Sequence, residues 1–143
     1  MIRAVVDTNL VVSAILSPGG KPAEVLRAAG VRFDLVWSPA IALECRRVLA
    51  SPKIARALRG RAADALALVD RLAALAVTMV DPDLLPAVRV VPRDPDDDVL
   101  FATALAGGAR LVVSGDARVL AVGSFGGVAT ASAVEFLAIL GRP

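Results

Sequence analysis

Four short apolar runs constrain this chain most: IRAVV at Ile2 to Val6, DLVW at Asp34 to Trp37, RLVV at Arg110 to Val113 and GVAT at Gly127 to Thr130. They are continuous rather than alternating, which is the pattern of strands covered on both faces. Helical patterns separate them. Strands alternating with helices imply an α/β sandwich around a mainly parallel central sheet. Right-handed crossovers then bring the strand-to-helix turns to one edge, at the carboxyl ends of the strands. Open α/β sheets bind their ligands at that edge.

The helices between the runs carry their own punctuation. Thr8 or Asn9 is a candidate cap for a helix reaching about Leu16, and Pro22 to Ala29 reads as another. Ser38-Pro39 is an N-cap followed by proline at the first helical position, opening a helix to about Leu49. Pro52 to about Leu58 and Ala62 to about Leu75 follow. Val77 to Val80 is a candidate strand. The segment Asp81 to Pro95 contains Pro82, Pro86, Pro92 and Pro95 and is expected to be irregular or edge-like. A helix from Asp98 to Ala106 is stopped by Gly107-Gly108, with Asp96 as its expected cap. Asp116 to Val122 and Ser132 to Leu140 complete the series. At 143 residues, the chain is expected to form one domain, residues 1–143.

Composition narrows the chemistry. The chain is 57% hydrophobic, yet no window offers the ~18 uninterrupted apolar residues of a membrane span. Met1-Ile2-Arg3 enters a strand pattern directly, without signal-peptide anatomy. A soluble, cytoplasmic protein is expected. One cysteine, Cys45, excludes an internal disulfide and a cysteine-rich zinc site. The absence of histidine removes Ser-His-Asp triads, histidine-ligated zinc and histidine general bases. Catalysis must then rest on carboxylates, hydroxyls, Lys or Arg, with a hard metal ion as the natural assistant. The net charge of +2 permits an acidic partner without demanding one.

The acids gather at the carboxyl edge. Asp7 directly follows the first strand, and Asp116 follows RLVVSG. Asp98 stands at the start of the helix before RLVV, expected at the same edge. Glu44 lies about two turns into the Ser38 helix, with Ala40, Ile41, Arg47 and Val48 as its helical neighbours. Much of that face is apolar, so Glu44 is expected to point partly inward, or else to pair with Arg47 on a solvated face. Two carboxylates ~4 Å apart repel by about 4 kcal/mol at an effective dielectric of ~20. A convergent group needs a cation or a proton to relieve it. Mg²⁺ or Mn²⁺ suits an all-oxygen site and binds phosphate oxygens. Each acid alone has a plainer reading, as a helix cap, turn residue or surface pair. Their joint placement favours a metal site.

The chain resembles PIN-domain ribonucleases, in particular the VapC-like toxins of toxin–antitoxin systems. The matching pieces are VVDTNLVVSAIL at Val5 to Leu16, SPAIALECRRVL at Ser38 to Leu49, DPDDDVLFATALAGGARLVVSGDARVL at Asp94 to Leu120, and the terminal ASAVEFLAIL. They cover nearly the whole chain in the family's order. The resemblance implies a PIN-like three-layer α/β/α sandwich and a Mg²⁺- or Mn²⁺-dependent endonuclease that cuts RNA. It also implies a homodimer silenced by a cognate antitoxin. By the same resemblance Asp7, Glu44, Asp98 and Asp116 are the catalytic and metal-binding acids, with Asn9 and Ser114 as auxiliary polar residues. The DDD run leaves its register open: Asp98 is the expected ligand and Asp97 a possible assistant. Many relatives carry a further acid where this chain has Arg118, which puts a second metal at that corner in doubt.

Two other classes stay open. A haloacid-dehalogenase-like phosphatase would use Asp7 as a nucleophile, but it wants a second Asp where Asn9 stands. A catalytically weak or inactive PIN fold would bind RNA or protein without cutting. Lys53 to Arg61, KIARALRGR, is by default a solvated face, and with an RNA substrate it becomes a phosphate-tracking surface. Cys45 and Trp37 read as core. A surface rich in Ala, Leu and Val suggests self-association or antitoxin docking.

Overall fold

The structure, a computed structural model, describes residues 1–91 and 94–141. The chain runs β1 (Arg3–Val6), α1 (Thr8–Leu16), α2 (Lys21–Ala28), β2 (Asp34–Trp37), α3 (Pro39–Leu49), α4 (Pro52–Leu58), α5 (Ala62–Leu75) and β3 (Thr78–Met79). A 3-10 turn at Pro82–Leu84 follows, and then α6 (Pro95–Gly107), β4 (Leu111–Val113), α7 (Ala117–Val122), β5 (Ser124–Phe125), β6 (Val128–Ala131) and α8 (Ala133–Leu140). The sheet order is β3-β2-β1-β4-β6-β5, parallel except for β5 against β6. This is the expected α/β architecture, a mostly parallel sheet flanked by helices.

Burial explains the layers. After its first residue, each of β1, β2 and β4 is buried without interruption. Successive side chains on a strand point to opposite faces, so both faces of the sheet are covered. α6 lies across β2, β1, β4 and β6. It approaches β2 so closely that a Cβ on Gly107 would overlap Val36 Cγ1, which is why glycine closes this helix. Leu35 and Trp37 point the other way from Val36 and are fully buried. Trp37 is core, as expected, and its indole Nε1 donates to Val6 O at 3.0 Å.

The sequence reading missed two features. β5 and β6 form a hairpin through Gly126 and Gly127, both at positive φ (58° and 85°), the geometry of a tight turn that glycine favours. Two-residue strands leave no periodicity to read. α6 also starts three residues before the expected Asp98, at Pro95, and its N-cap is Asp94. Asp94 Oδ1 accepts the Asp97 N–H at 3.2 Å. The expectation of Asp96 as cap is therefore corrected: it lies inside the first turn. In the proline-rich segment before α6 only the 3-10 turn is regular, and Pro92 lies outside the described residues. No helix among the described residues is long and apolar enough to cross a membrane.

Candidate active site

The sheet ladder itself positions the first pair of polar residues. Asp7 N donates to Val113 O at 3.0 Å and Ser114 N donates to Ala131 O at 3.0 Å. Each therefore continues its strand's pairing by one residue past the strand end and is held by the rigid core. Ser114 Oγ donates to Asp7 Oδ2 at 2.7 Å and accepts the Asp116 N–H at 3.0 Å. Asn9 Oδ1 accepts the Gly115 N–H at 3.2 Å, tying the start of α1 to the loop after β4. Asp7, Asn9, Ser114 and Asp116 thus converge at one corner of the carboxyl edge.

α3 and α6 supply the other walls. Ser38 Oγ accepts the Ile41 N–H at 3.5 Å and pairs with Thr103 Oγ1 at 3.0 Å, joining the two helices below the cleft. A cavity of about 380 Å³ opens between α1, α3 and α6, lined by Asp7, Asn9, Glu44, Asp96, Asp97 and Asp116, with Val12, Ile41, Val48 and Leu100 as an apolar floor. Glu44 faces this cavity and is ion-paired with Arg47. Arg47 also reaches Asp96 at 3.4 Å. Arg118 bridges Asp94 at 3.0 Å and faces Asp116 at 3.8 Å. Asp94 and Asp96 thus join these contacts without a sequence expectation of that role, whereas the Glu44–Arg47 pair and Arg118 beside Asp116 are legible in the sequence. Pro95 directly after Asp94 is the signal that marks Asp94 as a cap.

The DDD run divides. Asp97 lines the cavity, and its Oδ2 is buried without a hydrogen-bond partner. Asp98 turns away. Its Oδ1 accepts the N–H groups of Val90 and Val91, both at 2.7 Å, pinning the preceding loop to α6. Asp98 lines a separate groove with Leu85 to Val91. The structure therefore brings Asp7, Asn9, Glu44, Asp97 and Asp116 to one cavity, beside Ser114, and leaves Asp98 outside it.

The electrostatics follow from this crowding. Burial raises the Asp7 carboxyl above its ordinary value, against the lowering effect of the Ser114 bond, and Asp116 adds like charge. Asp97 is pushed up to about 7, first by burial, then by its contact with the Asp94 carboxylate, then by the charges of Asp7, Asp94 and Asp116. As a carboxylate Asp97 Oδ2 has no donor; with a proton it can donate to Asp94. Cys45 is fully buried behind this corner and donates to Thr8 Oγ1 at 3.4 Å. Burial pushes its thiol up to about 11, which suits packing and not nucleophilic chemistry.

Among the described residues, no group of three or more acidic or cysteine side chains is already drawn together closely enough to hold a metal ion. The donor set nevertheless fits a hard cation. It is all oxygen, it includes a buried oxygen with no donor, and burial, with like charge added, has raised two of its carboxyl pKa values.

The fold has solved counterparts. One is a chain of the VapBC2 complex of Rickettsia felis, bound in its crystal to a DNA fragment from the promoter of the pair. It matches at 13% identity and TM-score 0.56, over 92% of this chain and 98% of that one. PAE2754 from Pyrobaculum aerophilum matches at 17% identity and TM-score 0.58, over 97% of this chain and 89% of that one. At such identities the likeness is one of fold. No curated protein matches the sequence. Residues 3–118, which include every acid of the cleft, match the family model described as PIN domain, so the chain belongs to the PIN-domain family.

Proposed function

We propose that this chain is a Mg²⁺- or Mn²⁺-dependent endoribonuclease that hydrolyses RNA phosphodiester bonds, the toxin of a toxin–antitoxin pair. PIN domains are generally nucleases, and the family match supports that class. The observation that carries the reading is the buried Asp97 Oδ2, without a donor, in a cavity that it shares with Asp7, Glu44 and Asp116. Buried polar atoms are almost always satisfied, and a functional ligand is one of the few reasons for an exception.

Asp7, Asp97 and Asp116 would hold the ion, with Glu44 completing the set. In this reading Asp97 takes the role that the sequence suggested for Asp98, whose carboxylate is engaged by Val90 and Val91. A bound divalent ion polarises the phosphorus–oxygen bond and offsets the charge that develops on the phosphate. The chain's own groups do the rest. Ser114 fixes the rotamer of Asp7 through a 2.7 Å bond. Asn9 spends its carbonyl oxygen on Gly115, which leaves its amide N–H groups for substrate oxygens. The apolar floor of Val12, Ile41 and Leu100 limits water around the carboxylates and strengthens their electrostatic effect.

The likeness to a VapBC2 chain supports a cognate antitoxin as partner, and a homodimer and cytoplasmic action complete the proposal. Leu43 and Leu66, exposed on α3 and α5, offer apolar contact area for such partners.

The test is cleavage of single-stranded RNA by the purified chain with Mn²⁺, with EDTA, and as Asp7→Asn. Cutting that requires both the metal and Asp7 is the expected result. Cutting by Asp7→Asn at the wild-type rate would remove Asp7 from the chemistry and the proposal with it.

A further inference from the structure

The cleft is not uniformly negative, because two arginines already neutralise its rim. Arg47 serves Glu44 and Asp96 on the α3 side, where Asp96 is 67% exposed. Arg118 serves a more enclosed corner: the side chains of Asp94 and Asp116 are only 21% and 26% exposed. Both oxygens of Asp94 are engaged, Oδ1 by the Asp97 N–H and Oδ2 by Arg118 Nη2. Asp116 Oδ1 accepts the Arg118 backbone N–H at 2.8 Å and faces its Nε. The residue is thus anchored to one carboxylate by its backbone while its guanidinium reaches the next.

A guanidinium keeps its charge at every accessible pH and has five donors in a rigid fork. Arg118 commits one of them to Asp94, and its side chain remains 61% exposed. The rest of the fork is exposed beside Asp116, whose carboxylate lines the cavity. On the inner side the demand for positive charge is concentrated at one place, Asp97 Oδ2, the one buried side-chain oxygen among the described residues that has no partner.

We propose that Arg118 is the resident second cation of this site: it neutralises the Asp94–Asp116 corner, leaves room for a single divalent ion, and turns its free N–H groups to a phosphate of the bound RNA strand. The phosphate contact rests on the ribonuclease reading above; the ion count does not. A fixed guanidinium does there what a second metal would do, holding the phosphate while adding positive charge, and it excludes a second ion by like-charge repulsion.

Electron paramagnetic resonance of the full chain titrated with Mn²⁺ counts the bound ions without any RNA. Wild type is expected to bind one ion, Arg118→Lys one, and Arg118→Asp two. Two ions in wild type, or one in folded Arg118→Asp, would overturn the proposal; if Arg118→Asp does not fold, Arg118→Ala takes its place, with a second bound ion expected and a single ion overturning the proposal. No bound ion in wild type overturns the metal-dependent reading as a whole, whereas one ion without RNA cleavage overturns only the ribonuclease reading and the phosphate contact. The phosphate contact is read by anisotropy of labelled single-stranded RNA on Asp7→Asn chains. Adding Arg118→Ala is expected to weaken binding about 10-fold and to reduce the slope of log affinity against log salt by about 0.7, the value of one phosphate on a single strand. An unchanged slope would mean that Arg118 only braces the fold.

Discussion

Among the helix N-termini that carry acids, those of α8 and α6 behave in opposite ways. At the start of α8, Ser132 and Glu135 form a reciprocal capping box: Ser132 Oγ accepts the Glu135 N–H at 3.2 Å, and Glu135 Oε1 accepts the Ser132 N–H at 3.0 Å. Those hydrogen bonds lower the Glu135 carboxyl below its ordinary value. At the start of α6, Asp94 caps the helix, yet Asp97 is raised to about 7. The helix dipole favours a negative charge at both places. At α6, burial and three neighbouring carboxylates outweigh it. An acid at a helix start is stabilising where it is solvated and satisfied, and has its pKa raised where it is partly buried and crowded by like charge.

Replacing the raised acid tests that contrast most severely. Asp97→Asn is expected to lower the RNA cleavage rate by roughly 10²- to 10³-fold, the scale of losing one preorganised electrostatic group. The same change should raise the metal-free melting temperature near neutral pH, because it removes a like charge from the cleft. A variant that cuts at the wild-type rate would show that the cleft's raised acid is incidental. Asp98→Ala should do the reverse. It leaves two N–H groups without an acceptor and costs about 1–3 kcal/mol in urea unfolding, while cleavage per folded molecule stays within a few-fold. If Asp98→Ala abolishes cutting in folded protein, the division of labour in the DDD run is wrong.

The two termini should also separate by pH. The folded pKa of Asp97 lies above its unfolded value, so the folded state binds the extra proton. Its contribution to stability is full below about pH 4 and is lost as pH rises towards 7. Metal-free protein should therefore lose stability across that window, and Asp97→Asn or added Mn²⁺ should flatten the loss. Glu135, with its lowered pKa, has the opposite sign: its contribution is present above its unfolded pKa and is lost in acid. Urea midpoints collected across pH for wild type and Asp97→Asn measure the difference. The smallest effect is expected for Ser132→Ala, about 1 kcal/mol of stability with cleavage unchanged; a loss of cutting there would tie α8 to the site.

Much of this organisation is legible in the sequence because it rests on short-range rules. The continuous apolar runs of β1, β2 and β4 announce a sheet covered on both faces, and Asp7 and Asp116 come directly after their strands or loops. The absence of histidine narrows the chemistry to oxygen donors before any fold is known. The two-residue β5 strand is invisible because it is too short for a pattern. The start of α6 differs from the expected one although the sequence carries a signal for it: Asp94-Pro95 is a cap followed by proline at the first helical position.

The side that each carboxylate of the DDD run faces is a different kind of question. Adjacent helical residues point about 100° apart, so three consecutive acids sweep most of a helix surface and any one of them can meet the cleft. Composition and pattern determined that acid would stand at this helix start, and that the strands would bring other acids to the same edge. Only tertiary packing decided that Asp97 meets Asp7 and Asp116 while Asp98 ties down Val90 and Val91. The rotation of α6 is fixed by its contact across four strands and by the close approach of Gly107 to Val36. These contacts are made between residues far apart in the chain, and no local sequence rule encodes them.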